Sequence, residues 1–240
     1  MNPDGWDSRT RLLIGDAAAD RLAAASVTVA GLGGVGGYVA EALARSGVRR
    51  LTLIDADVVA LSNINRQLIA DVHTVGETKS ELWRRRLLGI NPALRIDARQ
   101  EFITAENVPE LLADAPGFVA DAIDTVAPKV ALMAACVRSG IPLISSMGAG
   151  GRMDPAQVRY GTLTDTSGDG LARTLRTRLR REGIDLRSVS VVWSSEMPER
   201  RAVIDLDERN KRSSFGTLVT IPALFGLYMA NHIIRKITGI

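Results

Sequence analysis

Runs of apolar residues alternate with helical-period stretches along the first 150 positions. Residues 27–32 are apolar and β-branched, as in a strand buried on both faces, and the run breaks at Gly31, Gly33, Gly34 and Gly36. Residues 38–45 then show helical spacing with strong helix formers and stop at Gly47. The same alternation predicts strands at 51–54, 94–98, 118–123 and 141–145, the last entering Gly148-Ala-Gly-Gly151. It predicts helices at 77–88 (closed by Asn91-Pro92), 105–113 and 128–138, with one opening helix over 7–24. Past Arg152 the order changes: strands are expected at 158–163, 189–193 and 201–204, and helices at 170–181 and 217–236. Strands alternating with helices predict a doubly wound, mostly parallel, Rossmann-like α/β sheet, which the later strands are expected to extend. The pattern divides the chain into residues 1–25 as a helical arm, 26–150 as a nucleotide-binding core, and 151–240 as an extension on the substrate side. The charged stretch 197–210 reads as a mobile loop at the site's mouth.

Composition narrows the class. A length of 240 residues and 46% hydrophobic content suit one large α/β domain with a full core. The longest apolar stretch, 218–234, contains Pro222, Gly226, Asn231 and His232 and reads as a packed helix, without stable membrane insertion. The N-terminus lacks a charged-then-apolar signal pattern, and a single cysteine excludes an intrachain disulfide or a multi-cysteine zinc site, so a cytoplasmic location is expected. Cys136 lies in an apolar helical run and reads as a buried structural residue.

The glycine stretch sits between a strand and a helix. There the backbone can approach a ligand closely and the helix N-terminus offers free N–H groups to an anion. Asp55, at the end of the next strand, is placed to hold ribose hydroxyls. A loop of this kind is shared by NAD enzymes, so alone it leaves an NAD-dependent oxidoreductase open, as well as a nucleotide sensor without turnover. The residues beyond Asp55 discriminate: Asp57, the polar group Asn63, Asn65, Arg66 and Gln67, then Lys79 and Asp124. Two cations and a carboxylate at separate strand ends suit a triphosphate with its metal. Individually, Asp57 and Asn63 also read as turn caps, Lys79 as a solvated helix residue and Asp124 as a helix cap.

The pattern Gly31-x-Gly33-Gly34-x-Gly36, Asp55-x-Asp57, Asn63-x-Asn65-Arg66-Gln67, Lys79 and Ala122-Ile-Asp124 resembles the ubiquitin-activating (ThiF/MoeB-like) superfamily of adenylating enzymes. The resemblance implies ATP as cofactor, with Asp55 on the ribose and Asn65, Arg66 and Lys79 on the phosphates. It further implies Asp124 as the Mg²⁺ ligand, with Asp57, Asn63, Gln67 and Thr125 completing the nucleotide site. It also implies a homodimer in which the 1–25 arm carries Arg11 into the partner subunit's site, and it leaves a bound monovalent cation open. Further stretches are similar to the tRNA threonylcarbamoyladenosine dehydratases: Arg11-Leu-x-x-Gly15, 41–47, Ile90-Asn-Pro92, 121–124, 148–151 with Asp154-Pro155, Ser194-Ser-Glu196 and Ser214-Phe-Gly216. That branch implies tRNA as partner and a dehydration that closes a ring on a threonylcarbamoyl carboxylate. Activation of the C-terminal glycine of a ubiquitin-like sulfur carrier, with a sulfur-transfer or carrier-protein partner, is the alternative. Absence of paired CxxC motifs weighs against it. Members of the branch often carry a cysteine shortly before the Phe-Gly pair, where this chain has Lys211-Arg-Ser-Ser214.

Two arginine clusters are candidate RNA surfaces: Arg84 to Arg86, beside Trp83, and Arg173, Arg176, Arg178, Arg180 and Arg181, with Leu171, Leu175 and Leu179 turned to the core. Trp83 reads as a half-buried core residue in preference to a stacking platform, and His73 and His232 read as bystanders.

Overall fold

The computed structural model describes residues 5–199, 203–208 and 211–240. Its centre is a seven-stranded sheet built from β1 (Ser26–Ala30), β2 (Arg50–Ile54), β3 (Arg95–Arg99), β4 (Phe118–Asp121), β5 (Leu143–Ser146), β6 (Val158–Thr162) and β7 (Ser190–Ser194). The order is β3-β2-β1-β4-β5-β7-β6, parallel throughout except at the β6 edge. The strand order reverses between β1 and β4, so the loops after these two strands diverge and open a crevice at their carboxyl ends.

Helices cover both faces because the strand side chains are apolar on both. Val27, Val29, Phe118 and Ala120 pack beneath α2 (Asp16–Ala24), α3 (Gly36–Ser46), α4 (Lys79–Ile90) and α8 (Thr220–Thr238). Val119, Leu143, Val191 and Trp193 pack beneath α5 (Val108–Leu111), α6 (Val126–Arg138) and α7 (Gly170–Arg181). Helix α3 ends, as its sequence predicts, with Gly47 in the left-handed conformation.

The structure corrects several expectations. The opening helix is two, α1 (Ser8–Ile14) and α2, because Gly15 adopts φ 81° and ψ 158° between them. The strand expected to run to Ile123 stops at Asp121, whose carboxylate is fully buried. The third late strand does not extend the main sheet: β8 (Val203–Glu208) pairs antiparallel with β9 (Lys211–Phe215) in a separate two-stranded sheet. β8 also occupies residues 203–208 of the stretch read as a loop at 197–210; residues 197–199 have no regular secondary structure, and 200–202 and 209–210 lie outside the described residues. Finally, Trp83 is fully buried: a Cβ at Gly37 would meet its ring, and its indole N–H donates to the Leu32 carbonyl at 3.2 Å. Among the described residues no helix is long and apolar enough to cross a membrane.

Candidate nucleotide site

The glycine turn after β1 is close-packed. Gly31 has φ 85° and its backbone lies so near Ala122 that a Cβ would sit 2.8 Å from that carbonyl oxygen. A Cβ at Gly36 would collide with the Gly31 carbonyl. These two positions therefore require glycine, and the packing brings the start of α3 against the turn. Gly33 and Gly34 line the opening: Cβ atoms there would lie 3.6 Å from the Gln67 amide nitrogen and 3.3 Å from the Arg66 stem.

Asp55, just past β2, ties this turn to the next loop. One carboxylate oxygen accepts from the Leu32 N–H at 2.7 Å and the other from the Asp57 N–H at 2.9 Å. Burial pushes its carboxyl up, opposed by the charge of Lys79 and by these two N–H groups. Lys79 opens α4 and is buried, with its ammonium 2.7 Å from Asp57 and 3.8 Å from Asp55. Two carboxylates and an ammonium thus gather around Asp55, which is itself bonded to the glycine turn. A polyphosphate drawn in by the helix N-terminus would offer Lys79 a stronger partner than exposed Asp57.

The polar loop after β2 contributes from the other side. Arg66 is half-buried; its guanidinium donates to the Ser62 carbonyl at 2.8 Å and to the Asn65 side-chain oxygen at 2.9 Å. Burial draws the Arg66 pKa down, and the charge of Asp124 opposes that shift. Asn65 in turn donates to the Thr217 carbonyl at 2.9 Å, fastening the loop to the segment before α8. Gln67 is buried, and its side-chain oxygen has no hydrogen-bond partner among the described residues. An unmatched buried acceptor beside Gly33 is a place where a bound molecule's donor relieves a desolvation penalty of about 1–3 kcal/mol.

Not every expected residue converges. Asn63 turns its side-chain oxygen to the Ala60 N–H at 3.1 Å and serves the turn itself. Thr125 stands at the N-cap of α6 without a side-chain cap bond. Arg11 is held on its own arm by Asp7, Asp16 and Asp20, at 3.0, 3.1 and 3.0 Å, which raises its pKa. Asp124 is exposed at the mouth, three residues beyond β4. Its single carboxylate beside an opening for phosphates fits Mg²⁺, which takes one or two carboxylates and completes its shell with phosphate and water.

Sequence reasoning missed what holds this mouth in place. Asp121 and Lys129 form a wholly buried ion pair at 2.9 Å, and Ser145 donates to the same carboxylate at 2.7 Å. Lys129 also donates to the Ile123 carbonyl at 3.0 Å, and the Ile123 N–H returns to Asp121 at 3.1 Å. This knot ends β4 early and lifts Asp124 toward solvent. Its signal was present: a lone lysine in an apolar helical run, eight residues after a carboxylate closing an apolar strand, requires a partner. A second buried pair, Arg152 with Asp169 at 3.0 Å, joins the loop after β5 to the start of α7. Arg152 also donates to Glu196 and Gly148 carbonyls, while the Glu196 carboxylate takes the Met153 and Asp154 N–H groups. Cys136 is buried, and burial with the Asp121 charge pushes its thiol up to about 12.

Comparison with known proteins agrees with this geometry. The tRNA threonylcarbamoyladenosine dehydratase of Bacillus subtilis (strain 168) is 38% identical over 238 residues, covering 96% of this chain and 93% of that protein. The crystal structure of Escherichia coli tRNA N6-threonylcarbamoyladenosine dehydratase in complex with ATP matches with a TM-score of 0.89 at 37% identity, covering 96% of this chain and 93% of that one. The E. coli sulfur carrier protein ThiS adenylyltransferase is 36% identical over only 148 residues, 60% of this chain and 59% of its own. A profile described as the ThiF family matches residues 8–240, and with this sheet order, glycine turn and polar loop, the chain belongs to the ThiF family.

Proposed function

We propose that this protein is an ATP-dependent adenylating enzyme that dehydrates the threonylcarbamoyl group of N6-threonylcarbamoyladenosine in tRNA. The observation that carries the reading is the extent of the similarity: it runs the length of the chain for the dehydratases, and over little more than half of it for the sulfur-carrier adenylyltransferase.

The chemistry follows from the residues around the glycine turn. The substrate carboxylate attacks the α-phosphorus of ATP, an oxygen–phosphorus bond forms, and the bond to the β-phosphate breaks, releasing pyrophosphate. A nitrogen or oxygen of the same threonylcarbamoyl group then attacks the activated carbonyl carbon. AMP departs with one former carboxylate oxygen, one proton is lost, and the substrate is lighter by one water. Charge develops on the phosphoryl oxygens in the first step, where Lys79, Arg66 and Asn65 bind and orient the phosphates. Asp55 holds the ribose, and Gln67 offers its unmatched oxygen to the nucleotide. Mg²⁺ held by Asp124, when bound, supplies positive charge to the phosphates. No enzyme thiol is required, in keeping with the buried, weakly acidic Cys136.

The functional unit is a homodimer in which Arg11 leaves its three aspartates to reach the partner subunit's phosphates. Mixed dimers of Arg11→Ala and Lys79→Ala chains regain part of the activity if so; verified mixed dimers without recovery contradict it.

The test of the function supplies ATP, Mg²⁺ and threonylcarbamoyl-modified tRNA, quantifies AMP and pyrophosphate, and weighs the digested nucleoside by mass spectrometry. Equal amounts of AMP and pyrophosphate, with a nucleoside lighter by one water, are expected. ATP consumption that depends on a ubiquitin-like carrier protein and not on tRNA overturns the reading.

A further inference from the structure

Helix α7 carries five arginines and no acidic residue. Its Ala172, Leu175 and Leu179 are buried in the core shared with α5 and α6, which turns the polar side outward. Arg176 is taken up locally, donating to the carbonyl and the hydroxyl of Thr166. Arg173, Arg178, Arg180 and Arg181 are exposed, and among the described residues none of the four makes an ion pair. Glu182, the next acid along the chain, is paired with Arg138 at 3.1 Å.

Helix electrostatics account for only part of this arrangement. Cations in the last turn are favoured by the partial negative charge at a helix C-terminus, which covers Arg178, Arg180 and Arg181. Arg173 stands in the first turn, where the field at the opposite end disfavours a cation. Four guanidiniums on one exposed face also repel one another, and an external polyanion relieves that repulsion. Arginine forks match phosphate oxygens in pairs.

The helix is also aimed from the site. Asp169 caps its start: one carboxylate oxygen accepts from the Ala172 N–H at 2.8 Å, and the other accepts from the Gly148 N–H at 3.0 Å, just past β5. Thus α7 begins at the strand-end edge where the nucleotide site lies and runs away from it for about 18 Å at 1.5 Å per residue. Resting on the function proposed above, we propose that the exposed face of α7 binds the sugar–phosphate backbone of the substrate tRNA, holding the stem while the modified base reaches the nucleotide site. RNA fits this face better than a membrane does. None of the exposed large apolar residues lies on α7, so it has nothing to insert between lipids.

The test is tRNA binding by fluorescence anisotropy over a salt series, for wild type and for the quadruple variant Arg173→Glu, Arg178→Glu, Arg180→Glu, Arg181→Glu. A quadruple glutamine variant, which removes charge without reversing it, guards against misfolding, and ATP affinity by calorimetry verifies the nucleotide site in each. Expected results are a loss of at least about tenfold in affinity near physiological salt, larger for Glu than for Gln, and a log–log salt slope shallower by about 3, from four lost phosphate contacts. ATP affinity stays as in wild type. Wild-type tRNA affinity and slope in both variants overturns the α7 assignment and leaves the proposed function standing. Tighter wild-type binding to phosphatidylserine vesicles than to tRNA makes the face a membrane surface and overturns the assignment. Failure of the wild type to bind tRNA at any salt overturns both proposals together.

Discussion

Helices α4 and α7 both carry an arginine cluster, and in the amino-acid sequence the two look alike. In the fold they differ. On α4, Arg84 meets Glu81 at 2.7 Å, Arg85 meets Glu77, and Arg86 meets Glu41 at 2.7 Å, so each guanidinium has its own carboxylate. On α7 four arginines face solvent, and among the described residues no carboxylate pairs with them. A cation matched inside the fold belongs to the architecture, and its removal registers as instability. An unmatched cation on the surface adds little to stability and is available to a partner. The contrast also separates Lys129, buried against Asp121, from Lys79, whose exposed partner Asp57 can be exchanged for a ligand.

The largest effect is expected where the matched cation is buried most deeply. Asp121→Ala strands Lys129 without a counter-charge and removes the bonds that end β4, so unfolding by denaturant should report a loss of about 3–5 kcal/mol. A loss below about 1 kcal/mol, the range of an exposed pair, would mean that the pair is not structural. Lys79→Ala should cost less stability than Asp121→Ala, because Asp57 is exposed and Asp55 keeps the Leu32 and Asp57 N–H groups, and should lower turnover by about 10²–10³-fold, the cost typical of removing one preorganised transition-state donor. A large stability loss with normal turnover would move Lys79 to the architectural class.

The doubly wound, mostly parallel character of the sheet and the glycine turn were legible in the amino-acid sequence, because each is local: a buried parallel strand must be apolar, and a tight turn against a helix needs glycine. The features that were not legible depend on partners far apart in the chain. The lone Lys129 signals that it needs a partner, but nothing near Asp121 announces Ser145, and Arg152 reads as an ordinary polar residue until Asp169 and Glu196 close around it. The matching of Arg86 by Glu41, 45 residues away, is likewise tertiary, and it is what turned one of two similar arginine runs into scaffold. The separate β8–β9 sheet escaped for a related reason, since strand pattern alone does not say which sheet a strand joins.

A smaller effect is expected at that α4 contact. Glu41 is nearly buried; burial would raise its pKa, but Arg86 and Arg45 outweigh this and hold it below the usual carboxylate range. The stability from this pairing is therefore present above the ordinary carboxylate pKa and lost as pH falls through the lowered value. Glu41→Gln should reduce stability at neutral pH by about 1–2 kcal/mol and leave tRNA affinity at the wild-type level, whereas the α7 substitutions should do the reverse. A loss of tRNA binding in Glu41→Gln with no loss of stability would erase the distinction between the two helices.

The smallest effect concerns His232, packed between Phe118 and Tyr160 on the face opposite α7. Burial, with Lys236 and Arg235, lowers its pKa to about 4. A neutral imidazole in the fold and a protonatable one in the unfolded chain mean full stability above the ordinary histidine pKa. Below it, stability declines until the folded value is passed, with a slope of at most about 1.4 kcal/mol per pH unit. Replacing His232 with Gln should flatten the decline between pH 6.5 and about 4; an unchanged profile would assign the decline to other groups.

The most direct test of the adenylating chemistry follows an oxygen atom. The threonylcarbamoyl carboxylate of the substrate tRNA is enriched with heavy oxygen, one turnover is allowed, and the released AMP is weighed. Attack of the carboxylate on the α-phosphorus predicts AMP carrying one heavy oxygen in its phosphate. AMP or ADP without label, with the heavy oxygen in inorganic phosphate or water, would contradict an acyl-adenylate and with it the roles assigned to Lys79, Arg66 and the glycine turn.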